Sequence, residues 1–406
     1  MARDFEPREY QNLICDFIQE NRRCAVFSPP GTGKTGATAT SIENLSMVED
    51  VYPLLIIAPK RVARTTWPAE YRKWNHLKHR TVISVHGTAI QRAAALRIKA
   101  DVFAINFEAL PWLVEHYGDR WPFKTVVVDE ATKLKGFRLR QGTQRAKALA
   151  RVAHTCIKQI ILLTGTPCPN GLQDLWGQMW FIDKGQRLGR VFDAFKTRFF
   201  RPNYNGFGIT ALPNAQEEIQ KALSDICITI DAADWFELET PIVNKIYVEL
   251  PAKAANLYKD METKMFMELE SQGVEAPNAA AKTMKLLALA NGFCYLNGSN
   301  KEWEVVHNEK LDALEEIVEE ACGMPVLVAY NFKSDLARLK ERFPDGLDLS
   351  TVDGLAKAQA GEGRVWFGHP ASMGHGVDGL QYHSNIMVFF GHNWNLEQYL
   401  QFIERI

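Results

Sequence analysis

The sequence predicts an α/β fold in which two doubly wound parallel sheets are separated by a mainly helical insert. In the first 180 residues, short runs rich in Val, Ile and Leu alternate with helical stretches, and this alternation resumes after Lys310. Between about 185 and 300 the apolar residues recur mostly at helical spacing. Continuous apolar strands separated by helices are typical of parallel sheets that are covered by helices on both faces.

The apolar runs define the predicted strands and the domain boundaries. Strands of the first sheet are expected at 23–28, 54–59, 81–87, 101–107, 125–130 and 160–165. Strands of the second sheet are expected at 326–332, 364–370 and 386–392. We therefore expect a first lobe at 1–184, a helical insert at 185–300 and a second lobe at 301–406.

The composition excludes several classes of protein. Hydrophobic residues make up 46% and charged residues 23% of the chain, as in ordinary globular proteins. The apolar run at 53–59 is far shorter than the roughly 20 residues that span a bilayer, and the first residues contain no apolar signal core. Seven cysteines form no CxxC pair, which predicts reduced thiols. A cytoplasmic protein with no membrane partner is expected.

The distribution of charge is uneven, although the net charge is only −1. Residues 131–173 contain eight Lys or Arg and no Asp or Glu, and residues 184–201 contain six Lys or Arg with Asp193 alone. Residues 302–320 contain eight acidic residues and one Lys. One such run is commonly a solvated surface. Two basic runs in one half of the chain favour a groove that faces phosphate groups.

The strongest local motif is SPPGTGKT at 28–35, which follows a predicted strand and precedes a helix. Consecutive backbone N–H groups at a helix N-terminus form a cradle for phosphate oxygens. Lys34 supplies a positive charge for the β- and γ-phosphates, and Thr35 supplies a hydroxyl for magnesium. The expected nucleotide ligands of this loop are Gly31, Thr32, Gly33, Lys34 and Thr35.

A second motif, VVVDEAT at 126–132, places two carboxylates at the end of a buried strand. Open α/β sheets bind their ligands at this end of the strands. We expect Asp129 to hold magnesium through water, together with Thr35, and Glu130 to orient and deprotonate the attacking water. The turn after the next strand carries Thr164 and Thr166, whose hydroxyls are expected to bond to Glu130 and to the facing lobe.

Taken together, these motifs resemble those of superfamily-2 helicases and translocases, and among them the SWI/SNF-like branch. Asn170 after TGTP fits that branch better than the RNA-unwinding ones. The compact chain is similar to phage or bacterial members. Further matching segments occur in the family's order: REYQ at 8–11, APKRVARTTWPAEYRKW at 58–74, NFEAL at 106–110, VLVAYNFKSDLARL at 326–339, ASMGHGVDGLQ at 371–381 and NWNLEQYLQFIER at 393–405.

The resemblance implies two RecA-like lobes that bind ATP and magnesium between them. It implies that Gln11 reads adenine, that Asp378 contacts the nucleotide, and that Arg405 is an arginine finger from the second lobe. The catalytic residues it implies are Lys34, Asp129, Glu130 and Arg405. The nucleic-acid-binding residues it implies are Lys60, Arg61, Asn106, Thr166, Asn331 and His375. Trp67 and Trp74 are expected to pack in the core, with stacking beside the nucleic acid as the alternative.

The function implied is that of a monomeric motor that moves along DNA, most simply duplex DNA, without sequence specificity, in the host cytoplasm if the gene belongs to a phage. About 155 residues separate Asn170 from Val326, which is more than a plain connector needs and fits helical protrusions. No strand-separating pin is apparent, which favours translocation over unwinding. Two alternatives stay open: an RNA-directed helicase, and an ATP-gated nucleic-acid clamp with little turnover.

The last residues suggest that the second lobe is incomplete. The sixth motif of the resembled family reads roughly Gln-x-x-x-Arg-x-x-Arg, and Gln401 and Arg405 match its first half. The second arginine would fall at about position 408, beyond Ile406. We therefore expect the 406 residues to be part of a longer protein and to turn over ATP weakly.

Overall fold

The computed structural model of the chain divides into two units, Met1–Glu239 and Thr240–Ile406. The structure describes residues 2–29, 31–165, 167–169, 171–203, 208–230, 243–272, 276–295, 302–373, 377–392, 395–403 and 405. Side chains are described in these ranges except at 264–280, 282 and 397. None of the helices in these ranges is both long and apolar enough to cross a membrane. All seven cysteines are free thiols.

The elements of the first unit alternate between helices and strands as far as Asp183. In chain order they are α1 (Glu9–Glu20), β1 (Arg23–Phe27), α2 (Lys34–Ser46), β2 (Leu54–Ala58), α3 (Trp67–Lys73), β3 (Val82–Val85), α4 (Ala89–Leu96), β4 (Val102–Asn106), α5 (Leu110–Tyr117), β5 (Thr125–Asp129), α6 (Gln144–Ala153), β6 (Gln159–Thr164), α7 (Asp174–Asp183), α8 (Phe192–Phe199), β7 (Phe200–Pro202), β8 (Ile209–Ala211), α9 (Ala215–Leu223) and β9 (Cys227–Thr229).

The second unit begins with two helices and then builds its own sheet. In chain order its elements are α10 (Ala252–Gln272), α11 (Ala276–Ala290), β10 (Phe293–Tyr295), β11 (Trp303–Val305), α12 (Glu309–Glu320), β12 (Val326–Ala329), α13 (Lys333–Arg342), β13 (Leu347–Asp348), α14 (Val352–Gln359), β14 (Val365–Gly368), α15 (Pro370–Met373), β15 (Ile386–Phe389) and α16 (Leu396–Ile403).

Among the described residues, seven parallel strands form the first sheet, in the order β3-β4-β2-β5-β6-β1-β9. Parallel pairing puts the carboxyl ends of all these strands at one edge. The register shows this directly, because strand-end residues pair across the sheet: Ala58 with Asn106, Asp129 with Leu163, and Phe27 with Thr164. The observed strands of both sheets end one to three residues earlier than expected, because the residues that follow belong to the loops at the carboxyl edge of each sheet.

The first sheet is covered on both faces, as the unbroken apolar strands require. On β2, Leu55 and Ile57 pack with α5, α6 and α7 on one face. The alternate residues Leu54, Ile56 and Ala58 pack with α1, α2 and α3 on the other face. Successive strand side chains point to opposite faces, so each strand contributes to two hydrophobic cores. The predicted α/β fold is therefore confirmed.

The expected boundary after residue 184 does not coincide with the boundary between the two units. Strand β9 pairs with β1 through Ala25–Cys227, Val26–Ile228 and Phe27–Thr229. This pairing makes β9 an edge strand of the first sheet. The described residues between 185 and 230 are thus part of the first unit, whereas we expected them in the helical insert. The strand of three residues is too short to produce a recognisable apolar run.

The second unit contains a four-stranded parallel sheet among its described residues, in the order β13-β14-β12-β15. Val326 and Val328 pack with α12 on one face, whereas Leu327 and Ala329 pack with α14 and α16 on the other. Helices α10 and α11, from the expected insert, pack against each other and belong to this unit. The short hairpin of β10 and β11 follows α11.

Arg23, at the start of β1, ties together the ends of two helices of the first unit. Its guanidinium donates to the carbonyl oxygens of Ala153, Ile157, Phe181 and Ile182, at distances of 2.6 to 2.9 Å. The last carbonyls of a helix have no partner within the helix, so these bonds complete the C-terminal ends of α6 and α7. Burial lowers the pKa of Arg23 to about 10, which still leaves it protonated at neutral pH.

We predict that Arg23→Ala lowers the free energy of unfolding of the first unit by about 2–4 kcal/mol, because it leaves several buried carbonyls unpaired. Arg22→Ala is the matched control, since the Arg22 side chain is 44% exposed and pairs with exposed Glu49. That control should cost less than about 1 kcal/mol. Urea unfolding followed by tryptophan fluorescence measures both. Equal midpoints for the two variants would contradict the structural role of Arg23.

Candidate nucleotide and nucleic-acid site

The loop after β1 has the backbone of a phosphate-binding loop. Gly31 and Gly33 have φ values of +82° and +73°, which favour glycine. Helix α2 begins directly after Gly33, so its first N–H groups point into this loop. The side chain of Lys34 donates from Nζ to the Pro29 carbonyl at 3.4 Å. The loop thus presents a helix N-terminus and a lysine ammonium at the carboxyl edge of the sheet.

Two further side chains hold the loop in shape. The Thr32 hydroxyl donates to the Pro29 carbonyl at 2.8 Å and lies 2.6 Å from the hydroxyl of buried Ser28. Gln11 donates from Nε2 to the Thr32 carbonyl at 2.9 Å and accepts from the backbone N–H of Arg8 at 3.0 Å. Gln11, expected to read adenine, is therefore directly connected to the phosphate-binding loop.

The two carboxylates of the second motif follow β5 at the same edge. Asp129 is 8% exposed and Glu130 is 7% exposed, so both groups are nearly buried. Glu130 has a φ of +67°, an uncommon conformation for a residue other than glycine and one that concentrates at functional sites. Its Oε1 accepts from the hydroxyl of Thr132 at 2.6 Å and, over a longer distance of 3.4 Å, from that of Thr164. The expected bond between Thr164 and Glu130 is present.

Trp67 forms part of the surroundings of Asp129. Its indole Nε1 donates to Oδ2 of Asp129 at 2.9 Å, and its side chain is completely buried. Trp74, directly after the end of α3, is 8% exposed and donates from Nε1 to Oε1 of Glu70 at 2.6 Å. Both tryptophans pack in the core, so of the two roles we considered for them the structure supports packing.

Helix α7 supports the loops that follow β5 and β6. An added Cβ at Gly177 would lie 2.5 Å from the carbonyl oxygen of Lys135, so only glycine allows this approach. The neighbouring Gln178 is completely buried and donates from Nε2 to the Pro167 carbonyl at 2.7 Å. The loop carrying Glu130 and the turn after Thr164 therefore rest on one helix.

The candidate nucleic-acid residues of the first unit lie along the same edge, after β2 and β4. Lys60 is exposed and Arg61 is half-buried, directly after the end of β2. Burial lowers the pKa of Arg61. Asn106 pairs across the sheet with Ala58 and donates from Nδ2 to Glu108 at 2.7 Å. The register of β2 and β4 thus places Asn106 beside Ala58, two residues before Lys60.

The basic run at 131–173 does not form one continuous surface. The Arg138 guanidinium stacks on Phe192, 3.3 Å from the ring centroid, and donates to the carbonyls of Lys135 and Phe137. Lys158 precedes β6, at the opposite edge of the sheet from the phosphate-binding loop. The run is therefore spread over both edges, which contradicts its interpretation as a single phosphate-facing groove.

The residues at the carboxyl edge fit a magnesium nucleotide. The Thr35 hydroxyl and the Asp129 carboxylate are oxygen donors, which magnesium prefers. Among the described atoms, nothing lies within 4 Å of the position that a Cβ would occupy at Gly31, which leaves room for phosphates. An added Cβ at Gly33 would lie 2.5 Å from Nε2 of Gln11. No group of three or more His, Cys, Asp or Glu side chains in the described ranges could hold a metal, so magnesium would depend on phosphate and water for its other ligands.

The comparisons with known proteins agree with this geometry. The family model described as SNF2-related domain matches residues 12–296, more than half of the chain. The chain belongs to the SNF2-related family. Relatives of this chain are named as a helicase and as a chromodomain-helicase-DNA-binding protein, and a solved structure similar to it is named as an ATPase core.

Relatives cover the chain to very different extents. Protein p41 of Acyrthosiphon pisum secondary endosymbiont phage 1 is 48% identical over 409 residues, which is 99% of this chain and 88% of p41. Helicase ssl-1 of Caenorhabditis elegans is 28% identical over 210 residues, 48% of this chain and 8% of ssl-1. This SNF2-related chain therefore spans most of the phage protein but less than a tenth of that helicase. The expected SWI/SNF-like branch and compact phage type are confirmed.

A solved structure shares the fold. The SWI2/SNF2 ATPase core of Sulfolobus solfataricus, determined in complex with dsDNA, matches with a TM-score of 0.50 and 21% identity over 95% of this chain and 82% of that chain. The two parallel sheets of this SNF2-related chain are thus RecA-like lobes.

In the second unit, the segments that carry the candidates Arg405 and Asp378 are in contact. Arg405 is half-buried, and its guanidinium donates to the carbonyls of Gln401 and Val377 at 3.0 and 2.9 Å. Asp378, next to Val377, is exposed and accepts from the backbone N–H of Gly379. The structure therefore brings the expected arginine finger beside the loop that carries Asp378.

The other candidates of the second unit and of the turn after β6 divide into described and undescribed residues. Asn331, after β12, donates from Nδ2 to the Gly391 carbonyl after β15 at 2.7 Å. Thr166, Asn170 and His375 lie outside the described residues.

Several side chains that support the site were missed from the sequence. Thr132 and Gln178 were not considered, and Trp67 was considered only for packing or stacking. Trp67 and Asp129 are 62 positions apart in the sequence, so no local spacing indicates their bond. A tryptophan that is completely buried needs a hydrogen-bond acceptor, but one sequence does not say which acceptor it finds.

We predict that Thr132→Val lowers ATP turnover about tenfold with little change in nucleotide affinity, because a hydrogen bond to a charged group is worth about 1.5–3 kcal/mol. Thr164→Val, which removes the longer bond to Glu130, should have a smaller effect. Steady-state phosphate release and nucleotide binding are measured for both variants. Unchanged turnover in Thr132→Val would show that Thr132 does not orient Glu130.

Proposed function

We propose that this chain is an ATP-driven translocase that moves along duplex DNA without sequence specificity. The observation that carries the proposal is the shared carboxyl edge of the first sheet. The phosphate-binding loop, the carboxylates Asp129 and Glu130, and the segment with Lys60 and Asn106 all follow strands of this edge. A structural change at the nucleotide site can therefore be transmitted to the nucleic-acid surface, because the loops of both sites leave the same sheet.

The chemistry proposed for the edge is hydrolysis of the γ-phosphate. Lys34 exchanges its bond to the Pro29 carbonyl for phosphate oxygens, and the N–H groups of α2 hold the remaining charge. Thr35 and Asp129 would hold magnesium, which would offset the charge that develops on the phosphate oxygens. Glu130, oriented by Thr132, accepts a proton from the attacking water.

The second unit is proposed to contribute Arg405 and Asp378 to ATP hydrolysis. A guanidinium that reaches the transferring phosphoryl group offsets its charge and increases turnover strongly. The bonds of Arg405 to the carbonyls of Gln401 and Val377 hold its side chain at the loop that carries Asp378.

We propose that the protein acts as a monomer in the cytoplasm. If it is encoded by a phage, this is the cytoplasm of the host.

Nucleic acid is proposed to bind through phosphate contacts at Lys60 and Arg61, with Asn106 beside them. Thr166, Asn331 and His375 complete this proposed set. Contacts to phosphates position a protein on nucleic acid but do not read its sequence. The relatives that act as helicases and the dsDNA in the related ATPase-core structure favour DNA over RNA as the partner.

We predict that duplex DNA stimulates ATP hydrolysis by the wild-type chain and that Lys34→Ala abolishes it while the fold persists. Lys158→Ala is the control, because Lys158 is exposed and lies at the opposite edge of the sheet. Phosphate release is measured without nucleic acid, with duplex DNA and with RNA. Stimulation by RNA alone would favour the RNA-directed alternative. Turnover in Lys34→Ala would remove the assignment of the phosphate-binding loop.

DNA affinity is expected to fall steeply with salt and to depend little on sequence, because lysine and arginine contacts to phosphates release counterions. Replacing both Lys60 and Arg61 by Ala should reduce the slope of log affinity against log salt by about 2, roughly one for each lost phosphate contact. Lys158→Ala serves again as the control. A slope that stays the same in the double variant would show that this segment does not contact DNA.

A further inference from the structure

We propose that Trp67 is a positioning residue for the metal-binding carboxylate of Asp129, an inference that rests on the proposed ATP hydrolysis. The bond from the indole Nε1 to Oδ2 of Asp129 measures 2.9 Å. Trp67 is completely buried and Asp129 is 8% exposed. Water therefore has little access to compete for this bond.

The backbone before Trp67 aims the indole at the end of β5. Residues Val62–Thr66 form a π-helix, and the N–H of Trp67 bonds to the carbonyl of Val62, five residues earlier. A π-turn adds one residue to a helical turn, so it rotates the following side chains by about 100° relative to a regular α-helix. Such turns are frequent at functional sites. Here the turn separates the exposed Lys60 from the buried Trp67.

The indole can orient the carboxylate without changing its charge. The terminal torsion of an aspartate side chain is broad, so a lone carboxylate rotates easily. An indole N–H is a donor only and cannot bind the metal or take a proton from Asp129. A bond to one oxygen fixes the plane of the carboxylate, and the group has two oxygens with about four acceptor sites. Partners of this kind commonly set metal affinity.

Helix α3 also lies against the first turn of α2. Glu70, one turn after Trp67, accepts from Trp74, and its Oε1 would lie 2.8 Å from a Cβ added at Gly36. Gly36 directly follows Thr35, the other proposed magnesium ligand.

The test compares Trp67→Phe with Trp74→Phe. Both changes keep an aromatic ring, affect a buried tryptophan at one end of α3 and remove one indole bond to a carboxylate, but only the first carboxylate belongs to Asp129. Binding of a fluorescent ADP analogue is measured in EDTA and over a magnesium titration. Thermal unfolding of each variant shows that the first unit remains folded.

We expect Trp67→Phe to raise the magnesium concentration needed for half-maximal binding about tenfold, with unchanged nucleotide affinity in EDTA. Trp74→Phe should behave as the wild type. If both variants need the same magnesium concentration, the proposal is overturned. A rise shared by both would point to loosening of α3, and no rise in either would show that the indole bond does not affect magnesium binding. A wild-type chain without magnesium-dependent nucleotide binding would instead contradict the proposed function itself.

A double variant tests whether the indole acts through Asp129. In an Asp129→Ala background, Trp67→Phe should cause no further rise in the magnesium requirement, since the group that it orients is gone. A second tenfold rise in that background would show that Trp67 acts elsewhere and would overturn the proposal. Comparison of the double variant with the two single variants measures whether the two neighbouring residues act together.

Discussion

Parallel pairing of the strands of the first sheet is the constraint on which the rest of the structure depends. Because every strand runs in the same direction, each loop that leaves a carboxyl end starts from the same edge. Phe27, Ala58, Asn106, Asp129 and Thr164 are five of the strand ends of that edge. The phosphate-binding loop, the carboxylates and the candidate nucleic-acid segment could not meet in an antiparallel arrangement of the same strands.

The loops at this edge are held by buried polar contacts, most of which come from the covering helices. Trp67 on α3 holds Asp129 and Gln178 on α7 holds the turn after β6, whereas Thr132 holds Glu130 from within the same loop. Buried hydrogen bonds of this kind cost more to break than exposed ones, because the remaining partner stays away from water. The loops are therefore set by the same helices that bury the apolar faces of the sheet.

The sequence predicts those features that depend on local pattern. Unbroken apolar runs identify the central strands, and the carboxylates after β5 can be assigned because they follow such a run directly. Contacts between distant segments cannot be read in this way, and the bond of Trp67 to Asp129 and the four carbonyls of Arg23 are examples. The basic run at 131–173 was a misleading signal for a phosphate-facing groove, because Arg138 of that run packs on Phe192. The sequence did not predict strand β9, because three residues are too few to show a periodic pattern.

The account claims that ATP hydrolysis at this edge drives movement along DNA. The most direct measurement is ATP-dependent displacement of a third strand from a duplex that carries a short triplex, because it reports movement and not binding. The wild-type chain is predicted to displace the strand only with ATP, whereas Glu130→Gln should bind ATP and DNA without displacing it. DNA-stimulated hydrolysis with no displacement by the wild type would contradict the claim and indicate an ATP-gated clamp.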